Sequence, residues 1–259
     1  MIYYEKYINE SSKDWVTFIH GAGGSSSIWF KQSDRFKKNF NVILLDLRGH
    51  GKSNSSHINV KKYTFNSISE DILKILDKEK ISKTHLVGIS LGSIISRYFM
   101  FLYPERCQSA VLGGMVVRVN MVSKFLLVGS NLLKTILPAM LLYRVLAKIL
   151  LPKRSQKVSK QKYIKEAQKI TQEEFLKWFE TTNEIKSIFK KFKKPTHIPN
   201  LIIQGGEDLI FLKDIIHYVK SKKNSELKVI ENCGHVVNIQ SSEKFNEYAI
   251  GFIKSNTVS

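Results

Sequence analysis

Cysteine is almost missing: only Cys107 and Cys233 occur, and neither belongs to a C-x-x-C pair. A disulfide framework is thereby excluded and nothing suggests thiol redox or thiolate–metal chemistry, so both residues read as core or near-core thiols. Long apolar runs are missing as well. Phe125 to Leu151 is rich in Leu, Ile, Val and Met, but Lys134, Pro138, Arg144 and Lys148 interrupt it. No uninterrupted stretch reaches the roughly 18 residues of a membrane-spanning helix. Met1-Ile2-Tyr3-Tyr4-Glu5-Lys6 lacks the basic-then-apolar order of a secretory signal, so the chain reads as cytoplasmic. Acid is in deficit, with 22 Asp and Glu against 41 Lys and Arg and a formal charge of +19. Alone, that charge points to nucleic acid or an anionic membrane. Without helix-turn-helix, RNA-binding aromatic or zinc-finger patterns, a solvated lysine-rich surface is the ordinary reading, and no nucleic-acid partner is expected.

What is present suits one large α/β domain, or a core with an insertion: 259 residues, 43% hydrophobic. Short β-branched runs alternate with helical patterns, the order of a mostly parallel sheet covered on both faces. Strands are predicted at Trp15–His20, Asn41–Asp46, Thr84–Gly88, Ser109–Gly113, Leu201–Gln204 and Leu227–Ile230. The apolar spacing of Ile68, Ile72, Leu73, Ile75 and Leu76 predicts a helix over 66–79. A second follows Ser90 and ends at Pro104, and a third runs over about 241–254. From Met115 to Pro195 the alternation stops and several helices with lysine-rich connections are expected. The chain thus divides into a core, 1–114 and 196–259, and an inserted helical segment, 115–195.

Chemistry concentrates at Gly88-Ile89-Ser90-Leu91-Gly92, between an apolar strand and a helix. Glycine two residues before and after a serine suits a sharp strand-to-helix turn that holds the hydroxyl out at the sheet's carboxyl edge. The alternative is an ordinary tight turn. His20-Gly21-Ala22-Gly23-Gly24 leaves the first strong strand with few side chains to obstruct its amides. Attack by Ser90 on a carbonyl would create an oxyanion, whose natural backbone donors are Ala22 and Leu91. Neither G-x-G-x-x-G nor a P-loop string is present, which argues against nucleotide binding.

A serine nucleophile needs a histidine base oriented by a carboxylate. His235, in Cys233-Gly234-His235 after the last strand, is the candidate base. Asp208, after the strand ending at Gln204, is the candidate acid, with Glu207 its rival and Asp214 better suited to a helix start. His20 and His50 read as structural, and His57, His85, His197 and His217 as surface or packing residues.

These residues in this order resemble the α/β-hydrolase superfamily: His20-Gly21, Asp46-Leu47-Arg48-Gly49-His50-Gly51-Lys52-Ser53, the elbow at Ser90, Gly206-Glu207-Asp208 and Gly234-His235. The likeness is to its bacterial esterase, lactonase and carbon–carbon-bond hydrolase branches. It implies a helical cap over 115–195 and hydrolysis of an ester, thioester or lactone through an acyl-enzyme on Ser90, without metal or organic cofactor. Serine at the nucleophile position disfavours epoxide hydrolysis and dehalogenation, which use aspartate there. Leu126, Leu127, Leu132, Leu133, Leu137, Met140, Leu141 and Leu142 suggest an apolar acyl group as small-molecule substrate, although most should simply pack the cap onto the core. Lys153-Arg154, Lys157, Lys160, Lys162, Lys190-Lys191 and Lys193-Lys194 raise peripheral contact with anionic lipid, against a solvated face. Carbon–carbon hydrolysis, perhydrolysis and a slow-turnover ligand receptor remain open alternatives on the same residues.

Overall fold

The computed structural model describes residues 1–53, 60, 62–134 and 136–257. His57 lies outside the described residues, as does the side chain of Leu126. Strands β1 (Tyr4–Tyr7), β2 (Trp15–Ile19), β3 (Asn41–Leu45), β4 (Thr84–Ile89), β5 (Cys107–Gly113), β6 (Asn200–Gly205) and β7 (Ser225–Ile230) form one sheet in the order β1-β3-β2-β4-β5-β6-β7. All pairings are parallel except β1 on β3, where Tyr4 faces Leu45 and Tyr7 faces Val42. Apolar periodicity passes over β1, because its Tyr-Glu-Lys-Tyr is an edge strand held by backbone pairing and only half-buried.

Helices α1 (Ser33–Lys37), α2 (Phe65–Lys78), α3 (Leu91–Leu102), α9 (Leu212–Lys220), α10 (Val237–Gln240) and α11 (Ser242–Lys254) accompany the sheet. The central strands are apolar throughout because both faces are covered. In β3, Val42 and Leu44 join the layer containing Phe36 of α1 and Phe245 of α11. Ile43 and Leu45 join the opposite layer with Ile72 of α2 and Ile95 of α3. The local signal for α2 is a capping box, Thr64 with Ser67, followed by a buried stripe of Ile68, Ile72, Ile75 and Leu76. Each such side chain contributes about 1.5–3 kcal/mol on burial.

Between β5 and β6 lie α4 (Met121–Leu133), α5 (Ala139–Leu150), α6 (Lys157–Ala167), α7 (Gln172–Glu180) and α8 (Ile185–Phe192). Tyr143, Ala167 and Phe175 from α5, α6 and α7 share a small apolar cluster of their own. Trp178 of α7 and Ile188, Phe189 and Phe192 of α8 instead belong to the sheet's layer with α2 and α3. Polar contacts fix the docking: Trp178 Nε1 donates to Arg48 O at 2.8 Å, and the buried Glu174 carboxylate accepts from the Tyr63 hydroxyl.

Candidate active site

The chain turns from β4 into α3 at Ser90, whose φ of 54° and ψ of −116° lie where side chains are rarely found. Such a residue costs on the order of 1–3 kcal/mol unless its surroundings over-determine it. Here Ser90 N donates to Gly113 O at 2.9 Å, and Ser90 O accepts from Ser93 N at 2.9 Å and Ser93 Oγ at 2.6 Å. A methyl at Gly88 would sit 2.4 Å from Gly92 O, and one at Gly92 2.0 Å from Ile19 O. The two glycines are therefore a steric requirement of the turn.

His235 leaves the turn after β7 and enters the pocket beside α10. Its Nε2 lies 2.9 Å from Ser90 Oγ and its Nδ1 2.7 Å from Asp208 Oδ2. A carboxylate only accepts, so Nδ1–H donates to Asp208 and Nε2 is left to accept from the serine hydroxyl. His235 and Asp208 are 2% and 3% exposed. Gln204 Nε2 also donates to Asp208 Oδ2, at 2.6 Å, and Phe211 N to Oδ1 at 3.3 Å. Glu207 faces elsewhere, 2.8 Å from Lys153 Nζ and 3.3 Å from Gln156 Nε2. Asp214, in the first turn of α9, pairs with Arg118 and accepts from Asn120 Nδ2 at 3.0 Å.

Facing Ser90 is the turn after β2. A methyl at Gly21 would come 3.3 Å from Ser90 Cβ, so this backbone passes directly beside the hydroxyl's residue. Gly23 N donates to His50 Nε2 at 3.1 Å and Gly24 N to Gly21 O at 3.0 Å. Among the described residues, the amides of Ala22 and Leu91 have no such acceptor. Ala22 and Leu91 line one cavity, and Leu91 opens α3, where the helix dipole favours negative charge.

Two buried imidazoles hold that turn. His20 Nδ1–H donates to Gly21 O at 2.8 Å and Nε2 accepts from Leu47 N at 2.9 Å. His50 Nδ1–H donates to Arg48 O at 2.9 Å while Nε2 accepts from Gly23 N. Burial pushes the His20 pKa down to about 4, and burial together with neighbouring His20 pushes that of His50 down to about 3. Both are thus neutral hydrogen-bonding struts. His85 makes a deceptive third case: its Nδ1 lies 2.7 Å from Ser109 Oγ and its Nε2 3.7 Å from Asp14 Oδ1. That chain sits near the amino ends of β4 and β5, where His85 and Ser109 are wholly buried, so no substrate reaches it.

Two apolar cavities open on Ser90, and another lies beside it at Ala22 and Leu91. One of about 70 Å³ is lined by Gly21, Ser90, Leu146, Leu150 and His235. A second of about 240 Å³ lies between Ala22, Leu91, Leu127, Leu142 and Trp178. A third of about 250 Å³ runs from Ser90 and His235 past Leu127 and Phe211 to Phe189. Leu146 lines all three.

A family model described as the alpha/beta hydrolase fold matches residues 14–242. The chain belongs to the alpha/beta hydrolase fold family. Among curated relatives of this family member, the dihydrolipoyllysine-residue acetyltransferase component of an acetoin cleaving system from Pseudomonas putida is 24% identical over 253 residues, 93% of this chain and 64% of the relative. Protein ABHD8 of Homo sapiens is 32% identical over 96 residues, 37% of this chain and 22% of the relative. The chain spans less than two thirds of the length of either. Among solved structures, MenH from S. aureus superposes with a TM-score of 0.85 at 22% identity, covering 99% of both chains. The enol-lactonase from Burkholderia xenovorans LB400 gives 0.81 at 18%, covering 98% of this chain and 96% of its own. The meta-cleavage product hydrolase from Pseudomonas fluorescens IP01 gives 0.77 at 23%, covering 98% and 94%. At such identities these likenesses establish the shared fold alone.

The fold thus brings Ser90, His235 and Asp208 into one hydrogen-bonded line, with Gly21, Ala22, Gly88, Leu91 and Gly92 around it and His20 behind the turn. The leucines of the insertion divide. Leu127 and Leu142 line the cavities, whereas Leu132, Leu133 and Leu141 are exposed, contrary to the expectation that most would pack onto the core. Leu146 and Leu150, on the inner face of α5, are the lining that composition did not single out. Gln204 was also missed; its only sequence signal is an amide directly after the apolar buried run Leu201–Ile203. Among the described residues no helix is long and apolar enough to cross a membrane.

Proposed function

We propose that this family member is a serine hydrolase that cleaves a carboxylic ester, thioester or lactone through an acyl-enzyme on Ser90. The observation that carries the reading is the line Ser90 Oγ, His235, Asp208, with contacts of 2.9 and 2.7 Å, opening onto apolar cavities. Ser90 Oγ attacks the carbonyl carbon as His235 Nε2 takes the hydroxyl proton, and Asp208 stabilises the imidazolium. The amides of Ala22 and Leu91 receive the oxyanion, and each such donor is worth about 10²–10³ in rate. His235 then gives its proton to the leaving oxygen or sulfur. A water, deprotonated by the same nitrogen, attacks the acyl carbon, and His235 passes that proton to Ser90 Oγ as its bond to the acyl carbon breaks and the acid leaves. The lining of Leu127, Leu142, Leu146 and Leu150 favours an aliphatic acyl group over a polar one.

The test is hydrolysis of p-nitrophenyl esters from acetate to palmitate by the wild type, Ser90→Ala and His235→Ala. Turnover that is lost in both variants supports the reading, and the acyl-length optimum reports what the leucines accept. Wild-type inactivity across the whole series would overturn it.

A further inference from the structure

The charge excess is not spread evenly. From Arg106 to Lys165 the chain holds no Asp or Glu at all, while Lys and Arg occur twelve times. A uniformly lysine-rich composition does not account for this segment, because all 22 acids lie outside it. Four of its cations are neutralised by carboxylates elsewhere: Arg106 by Asp77, Arg118 by Asp214, Lys134 by Glu180 and Lys153 by Glu207. The others, Lys124, Arg144 and Lys148 among them, form no ion pair among the described residues.

The same segment carries most of the exposed large apolar side chains among the described residues. On α4, Met121, Phe125, Val128 and Leu132 recur at helical spacing, and Ile136 follows in the next turn; all are between 54% and 80% exposed. On α5, Leu141, Arg144, Val145 and Lys148 are exposed at the same spacing, so apolar and cationic side chains share one face. Scattered exposed hydrophobics need no explanation, but a stripe this regular does. Facing water, each member forgoes roughly the 1.5–3 kcal/mol that burial gives a core residue. The opposite side of α4 is committed, since Ser123 and Leu127 line the cavity that holds Ser90.

We propose that the outer faces of α4 and α5 dock the protein on an anionic lipid surface, lying in the plane of the interface without spanning it. An anionic lipid surface takes the apolar stripe and the unpaired cations beside it together: the stripe enters the acyl boundary while lysine and arginine stems reach headgroup phosphates. A second copy of this chain would bring the same cations against themselves, which like-charge repulsion opposes. The docking is independent of the chemistry at Ser90, but it sets one wall of the Ser90 cavity against the bilayer.

The experiment is co-sedimentation of the full chain with vesicles of phosphatidylcholine alone and of equimolar phosphatidylcholine and phosphatidylglycerol, at low and high NaCl. Wild type is expected to pellet with the anionic vesicles at low salt and to be released as salt rises. Phe125→Asp/Leu132→Asp should weaken binding at least about tenfold, as loss of two inserted side chains requires. Arg144→Glu/Lys148→Glu should weaken binding to the anionic vesicles and not to phosphatidylcholine. All four altered positions are exposed, and an unchanged circular dichroism spectrum and thermal midpoint confirm folding. Wild type left in the supernatant with anionic vesicles overturns the proposal. So does an aspartate pair that pellets like wild type. A dimer that the aspartate pair converts to monomer, without vesicle binding, assigns the stripe to a second copy and overturns it too.

Discussion

Gln204 Nε2 lies 2.6 Å from Asp208 Oδ2, the same oxygen that His235 Nδ1 reaches at 2.7 Å. The other end of the amide, Oε1, accepts from Met115 N at 3.0 Å, so one side chain ties the acid to the backbone leaving β5. Gln204 touches neither serine nor cavity. On the proposed reading it is a positioning residue that would act by denying the carboxylate rotation.

Removing that restraint should be read in turnover. Gln204→Leu is expected to lower kcat by about 10–100-fold, the scale of a misplaced catalytic group, with KM nearly unchanged. Orphaning Met115 N should also cost about 1–3 kcal/mol of stability. A variant that loses stability yet keeps kcat would reduce Gln204 to a packing role.

The two adjacent acids should behave oppositely. Asp208→Asn keeps the shape but offers His235 a donor, and kcat should fall by about 10⁴ through the wrong tautomer. Glu207→Gln removes the part-exposed ion pair with Lys153, worth about 0–1 kcal/mol, keeps an amide oxygen to accept from Gln156, and should leave kcat within a few-fold. Steady-state kinetics on one soluble ester decides between them.

Acid should unfold the protein through its buried imidazoles. His20 and His50 are neutral in the fold down to about 4 and about 3, and burial lowers His85 as well, while an unfolded histidine protonates near 6.5. Below that value the unfolded state binds more protons, so stability falls as pH falls. Each group contributes a slope of about 1.4 kcal/mol per pH unit until its folded pKa is reached. Urea unfolding from pH 7 to pH 5 should show the decline, and a flat profile would contradict it.

Leu146 is the one side chain shared by all three cavities. Leu146→Trp should move the preferred ester toward short acyl groups, with acetate turnover changed only a few-fold and octanoate turnover by tenfold or more, about 1.4 kcal/mol. Equal loss at every length would mean that the indole disturbs Ser90 instead of filling the acyl space.

Gly92→Ala should fail more completely. A methyl 2.0 Å from Ile19 O, a backbone atom of a central strand, has nowhere to go, and a cost above about 3 kcal/mol is expected in thermal or urea unfolding.

Much of this site was legible because it is local. Ser90 announces itself through glycines whose spacing the elbow demands sterically, and the central strands through runs buried on both faces. His235 and Asp208 could be chosen because each follows a parallel strand, and parallel strands all deliver their carboxyl ends to one edge. β1 was illegible for the converse reason, since an edge strand needs no apolar face.

Sequence by itself determined the layered α/β order, the candidate nucleophile and the two turns able to supply its base and acid. Sequence favours Asp208 with Glu207 as its rival, and only the tertiary structure shows which way each carboxylate faces, Asp208 toward His235 and Glu207 toward Lys153. It also decided that Gln204 braces the acid and that His85, with a serine and an aspartate of its own, is sealed at the wrong end of the sheet. The insertion's leucines show the division most plainly. Leu127 and Leu132 are alike in composition and near neighbours on α4, yet one lines the Ser90 cavity and the other faces solvent. Helical periodicity separates two faces of a helix, but which face is inner depends on where the sheet and the rest of the insertion lie, and that is fixed by long-range packing.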